Sequence, residues 1–171
     1  MVTICVCENG ESITSLVQNR LLSKGYSVHT EGINSESDYV FLTGFGHKTC
    51  DILLLHDPKN TPIRADYITL VNADRCRGAL DTGNSLLISY GVNPLATVTA
   101  SSFPREPDKS RFICCIQRSI VTLKGKIIEP REFPVVLPDT ISDLSVAMAY
   151  TCLALLLSVS PEELGKIPPT P

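Results

Sequence analysis

The residues with the clearest chemical potential lie near the start of the chain, at Cys7-Glu8-Asn9-Gly10-Glu11-Ser12. An apolar, β-branched run, Val2 to Cys7, precedes them, and residues 11–24 carry Ile13, Leu16, Val17 and Leu21 at helical spacing. A glycine-containing turn between a strand and a helix start is a place to cradle phosphate, because backbone N–H groups and the positive end of the helix converge there. A working loop of this kind adds a Lys for the β/γ-phosphates and a Ser or Thr hydroxyl for Mg²⁺. Ser12 offers the hydroxyl, but Glu11 stands where the Lys belongs. A plain Asn-Gly turn is the competing interpretation of the same residues.

Other residues offer weaker chemistry. The chain has seven cysteines and three histidines, and His47 with Cys50 makes a single H-x₂-C pair. Structural zinc sites use paired ligands at short spacing, which this chain does not repeat, so no metal site is expected. Cys5 and Cys7 are two apart and share a strand face, Cys114 and Cys115 take opposite faces, and buried reduced thiols are the simplest reading. Asp51, Asp57 and Asp74 sit at strand ends, where open parallel sheets bind ligands, although acids there also cap turns. Thr97, Thr99, Ser101 and Ser102, with Arg118, could line a polar groove; the alternating solvent face of an edge strand is preferred.

The elements that must position these groups read as an α/β chain. Gly25 ends the first helix and residues 26–30 form the second strand, a βαβ opening that favours a parallel sheet. Tyr39 to Leu42 is a short strand. Asp51 to Leu55, Tyr67 to Val71 and Leu86 to Ser89 are short apolar runs without proline, as buried parallel strands require. Residues 75–85 have room for a short helix. After Gly91 the segments 96–103, 111–123 and 126–136 predict an antiparallel extension with a hairpin at Lys124-Gly125. Pro138-Asp139 opens a long helix to about Ser158, with Asp139 or Thr140 as N-cap. Ser160-Pro161-Glu162-Glu163 starts a last short helix, and residues 168–171 are a frayed tail. The expectation is one domain over 1–171, a mostly parallel sheet flanked by helices.

Composition narrows the function classes. Of 171 residues, 43% are hydrophobic and 19% charged, which excludes global disorder. Fifteen basic against eighteen acidic residues give a net charge of −3, so no basic stripe for nucleic acid is expected. Trp is absent and aromatics are 6%, against a stacking platform for single strands. The apolar run over 144–159 is shorter than the roughly 20 residues of a membrane span. Together with the absence of a leader-like start, this predicts a cytoplasmic protein with no membrane association.

Taken together, these motifs resemble the ATP-binding central domain of the Mur ligases and the folylpolyglutamate synthetases. Their loop of the form T-G-T-N-G-K-T-T falls on Val6-Cys7-Glu8-Asn9-Gly10-Glu11-Ser12-Ile13, and their next strand on Gly25-Tyr26-Ser27-Val28. Leu70-Val71-Asn72-Ala73-Asp74 looks like a strand-end Asn segment of that domain, and Leu87-Ile88-Ser89-Tyr90-Gly91 like a later strand. The resemblance covers most of the chain; the family's flanking substrate domains have no counterpart in it. It implies a nucleotide crevice at Glu8, Asn9, Gly10, Glu11 and Ser12, with His56, Asn72 and Asp74 lining it. The departures imply loss of function. Lys becomes Glu11, the family's metal-binding Glu falls near His56, and its Asp-His pair falls near Cys76 and Arg77. A carboxylate 4 Å from one phosphate charge costs on the order of 4 kcal/mol at a surface-like dielectric, and Glu11 is also placed to complement the helix dipole itself. The expectation is a non-catalytic relative with no cofactor, acting as a binding, regulatory or assembly module through a protein partner or a second copy. The alternative is an ATP-dependent ligase-like or other nucleotide-using enzyme, with ATP and Mg²⁺, that relies on a partner subunit.

Overall fold

In the computed structural model, residues 1–8, 13–30, 36–42, 49–57, 63–102, 111–137, 141 and 143–166 are described. The elements in chain order are β1 (Val2–Cys7), α1 (Ile13–Ser23), β2 (Val28–Thr30), β3 (Tyr39–Leu42), β4 (Thr49–Leu55), β5 (Arg64–Asn72), β6 (Leu86–Tyr90), β7 (Val98–Ser102), β8 (Arg111–Ile116), β9 (Ile120–Val121), β10 (Ile127–Ile128), β11 (Arg131–Val136), α2 (Leu144–Leu156) and α3 (Pro161–Leu164). One nine-stranded sheet runs in the order β11-β8-β7-β6-β5-β4-β1-β3-β2, and β9 with β10 forms a separate hairpin. From β2 to β7 every neighbouring pair is parallel, whereas β7–β8 and β8–β11 are antiparallel. This is the expected parallel sheet with an antiparallel extension. The hairpin turns at Gly125, whose φ of 74° suits glycine. Pro134 is tolerated because β11 is an edge strand.

Alternation along the strands divides the core. Ile4, Ile52, Leu54, Ile68, Leu70, Ile88 and Tyr90 face α1 and α2, while Cys5, Val40, Leu42, Cys50, Leu53, Leu55 and Val71 form a second cluster on the opposite face. Helix α1 buries Ile13, Leu16, Val17 and Leu21, the stripe its spacing predicts. It ends in a Schellman turn at Gly25 (φ 81°), with Tyr26 N donating to Leu21 O and Gly25 N to Leu22 O. Helix α2 is buried on every side from Val146 to Leu156. No described helix is long and apolar enough to cross a membrane.

Several expectations change. The long helix begins at Leu144, not at Pro138, and its N-cap is Asp143, which accepts the Ser145 N–H at 2.7 Å. Residues 138–140, including Asp139 and Thr140, lie outside the described residues. Helix α2 stops at Leu156 because Ser158 takes a left-handed φ of 75°, and Val159 N then closes a Schellman turn on Ala154 O. Residues 75–85 form turns rather than a helix, since Gly78 and Gly83 adopt positive φ and Asp81 accepts the Gly83 N–H. Thr97 and Thr99 are buried, because β7 lies inside the sheet between β6 and β8 and is no edge strand. Arg118 donates to Leu95 O, so it braces a turn. His47, the separator 104–108 and the tail 168–171 lie outside the described residues.

Helix α3 is clamped onto α1. Ser160 and Glu163 form a capping box, Lys24 Nζ lies 2.8 Å from the Glu163 carboxylate, and Arg20 donates to Glu163 O. Burial opposes ionisation of Glu163, but the Lys24 contact and the Ser160 N–H outweigh it and hold its carboxyl at about 2, below the ordinary 4.5.

Two measurements check this packing. Leu21 is fully buried, so Leu21→Ala should cost about 2–5 kcal/mol in a denaturant titration. The folded pKa of Glu163 lies below its unfolded value, so its stabilisation is complete above about pH 4.5 and is lost as pH falls toward about 2. Titrations repeated across that window should show a smaller acid-induced loss in Glu163→Gln than in the parent.

Candidate functional site

Strands β1, β4, β5 and β6 are parallel and end along one side of the sheet. The chain leaves β1 for β2 and β3 on one flank and continues through β4 on the other, so the end of β1 is a switch point of the kind where open α/β sheets bind ligands. The segments after β1 and β4 are drawn together there, as His56 N and Asp57 N both donate to Cys7 O, at 3.1 and 3.3 Å.

Glu8 turns its carboxylate onto the start of α1. Oε2 accepts the Ile13 N–H at 2.8 Å, and Oε1 accepts the Thr14 N–H at 3.2 Å and the Thr14 hydroxyl at 2.8 Å. An acid in this position satisfies orphan amides and the helix dipole together. Those two amides are therefore committed to the protein's own side chain. Asn9, Gly10, Glu11 and Ser12 lie outside the described residues.

The three other predicted lining residues all reach the strand ends, in different roles. His56 follows β4 and is wholly buried, with Nδ1 2.8 Å from Tyr90 Oη and Nε2 3.5 Å from Ser145 Oγ. Asn72 ends β5 and is also fully buried. Its Oδ1 accepts the Asp74 N–H at 3.0 Å, while Nδ2 has no hydrogen-bond partner among the described residues. Asp74 points to the next turn, accepting the N–H groups of Val92 at 2.7 Å and Asn93 at 2.9 Å.

Sequence reasoning did not single out the group that ties this edge together. Arg75 pairs with Asp57 at 2.7 Å, lies 3.8 Å from Asp143, and donates to Ser145 Oγ at 3.4 Å. Burial opposes ionisation of Asp143, yet the Ser145 hydrogen bonds and the Arg75 charge lower its pKa. One signal was available, since an Asp directly before the apolar run at Leu144 is an N-cap pattern. The meeting of Arg75 with residues 57, 143 and 145 has no local signature. Among the described residues no three His, Cys, Asp or Glu side chains are grouped to hold a metal. Cys5, Cys50, Cys114 and Cys152 are buried in the core.

No protein-family model and no curated protein matches the sequence. Solved structures do match the fold. Crystal structure I of MurF from Acinetobacter baumannii aligns with a TM-score of 0.59 and 11% identity, over 95% of this chain and 44% of that one. The UDP-N-acetylmuramoylalanyl-D-glutamyl-2,6-diaminopimelate–D-alanyl-D-alanyl ligase from the same organism aligns with 0.58 and 11%, over the same shares. The chain thus has a Mur ligase-like α/β fold and spans less than half the length of these two proteins.

Gly91 tests the strand-end geometry. Its φ is 151°, and a Cβ there would lie 2.5 Å from Asp74 Oδ2. Gly91→Ala should destabilise by about 1–3 kcal/mol, and a double-mutant cycle with Asp74→Ala should recover part of that cost, read from denaturation midpoints.

Proposed function

We propose that this chain is a Mur ligase-like domain that does not use ATP and serves as a binding, regulatory or assembly module, in the cytoplasm, through a protein partner or a second copy. The observation that carries the reading is the Glu8 carboxylate on the Ile13 and Thr14 amides. An incoming phosphate would have to displace it, forfeiting charge-assisted hydrogen bonds worth about 1.5–3 kcal/mol each. A displaced Glu8 still within 4 Å of a phosphate oxygen adds about 4 kcal/mol of repulsion per unit charge at a surface-like dielectric. In the resemblance, Glu11 replaces the attractive Lys and His56 falls near the metal-binding acid. His56 is instead buried against Tyr90, so the residues present do not fit Mg²⁺·ATP.

Calorimetry with ATP and Mg²⁺ should show no heat beyond dilution for the native protein. Glu11→Lys alone should also fail, because Glu8 still covers the amides. Glu8→Thr combined with Glu11→Lys removes both acids and restores one cation, and weak triphosphate binding should appear. Micromolar binding by the native protein, lost on mutating Glu8, would overturn this reading and return the nucleotide-using enzyme.

A further inference from the structure

We infer that Ser145 is an activated nucleophile able to accept an acyl group from an uncharged activated ester or thioester. The site requires no nucleotide, so it holds whether or not the Glu8 turn binds one.

Four side chains from four parts of the chain line up in one row. Arg75 Nη2 lies 3.4 Å from Ser145 Oγ, Ser145 Oγ lies 3.5 Å from His56 Nε2, and His56 Nδ1 lies 2.8 Å from Tyr90 Oη. A guanidinium can only donate, so Ser145 Oγ accepts from Arg75 and its own proton can point to His56 Nε2. We assign His56 the Nδ1–H tautomer, donating to Tyr90 Oη, so that Nε2 can accept from Ser145. A nucleophile, a base and a third group orienting the base form the arrangement that activates serine hydroxyls. The two longer contacts are of the kind that shorten when substrate binds.

The surroundings suit the chemistry. His56 and Tyr90 are fully buried, so the base is shielded from water, while Ser145 is only partly buried. Ser145 stands in the first turn of α2, where the helix dipole favours developing negative charge. Asp57 and Asp143 hold the guanidinium in place. These two acids also leave the cluster with an excess of one negative charge, which disfavours anionic donors and selects neutral ones.

The step balances without a further reagent. The bond from Ser145 Oγ to the acyl carbon forms as the Oγ proton passes to His56 Nε2. The bond from that carbon to the leaving oxygen or sulfur then breaks, and the departing alcohol or thiol takes the proton from His56. Arg75 Nη2, 3.4 Å from Ser145 Oγ, is a donor within reach of the charge that develops on the acyl oxygen.

The full-length chain, incubated with p-nitrophenyl acetate and separately with a fluorophosphonate probe, should take up one group per molecule, mapped to Ser145 by peptide mass spectrometry. Ser145→Ala should abolish labelling while keeping its circular dichroism. His56→Gln should slow labelling by about 10²–10⁴-fold. Because His56 is buried and that variant can misfold, Tyr90→Phe serves beside it. Its loss of one hydroxyl should shift the His56 tautomer seen by nitrogen NMR and, with circular dichroism unchanged, slow labelling, which a purely structural role would leave unaffected. Native, folded protein that leaves Ser145 unlabelled would overturn the inference, as would labelling that persists undiminished in Ser145→Ala.

Discussion

Helix α2 is buried on all sides over Val146 to Leu156, so it requires cover in every direction. The parallel sheet lies on one side, α1 on another, and Ile120 and Ile128 of the β9–β10 hairpin and Leu164 of α3 join the same cluster. The hydroxyl of Thr151, carried into its middle, is satisfied locally, with Oγ1 donating to Ala147 O. Its final carbonyls are met from outside the helix, Leu156 O by Leu123 N and Leu157 O by the Tyr39 hydroxyl. An apolar helix with unmet carbonyls would lose the gain of burying it, because an unsatisfied buried polar group costs about 1–3 kcal/mol. The antiparallel extension and the α3 clamp are therefore parts of one packing solution.

The same helix brings polar groups to the strand ends. Asp143 and Ser145 emerge at its N-terminus, where β4 delivers His56 and Asp57 and β5 delivers Asn72 and Arg75. The edge that could serve ligands is consequently dense in internal contacts. Glu8 covers the α1 amides, Asp57 and Asp143 share Arg75, and Asp74 organises the turn after β6. Each acid is used on the protein's own backbone or its own cation. An anion arriving there competes with a tethered carboxylate, and a tethered group has already lost most of the entropy that a free ligand must still give up.

Much of the architecture was legible from local pattern. Apolar runs without proline marked β1, β4, β5 and β6, the spacing of Ile13, Leu16, Val17 and Leu21 marked the buried face of α1, and Gly25 and Gly125 marked turns. These signals are reliable because burial on a helix or strand repeats with a fixed period, so a few residues suffice. Element ends were less legible. The start of α2 depended on which of several nearby polar residues capped it, and Ser158 took a conformation that sequence rules assign to glycine. Thr97 and Thr99 were misplaced on a solvent face, because strand order, which puts β7 inside the sheet, is not written in the strand itself.

The sequence by itself determined the α/β class, the strand–turn–helix opening and an acid excess at that opening, all of which depend on neighbours within a few residues. Only the tertiary structure decided what the polar groups do. The α1 amides are covered by Glu8, five residues before Ile13 and beyond the usual three-residue reach of a helix cap. Arg75, at the start of a segment with room for a short helix, became the centre of a charge cluster reaching Asp57 and Asp143. His56 meets Tyr90 across 34 residues and Ser145 across 89. Periodicity states which residues leave water, but the partner of a buried or half-buried polar group is set by which strand ends the fold brings side by side, and that is a property of the whole chain.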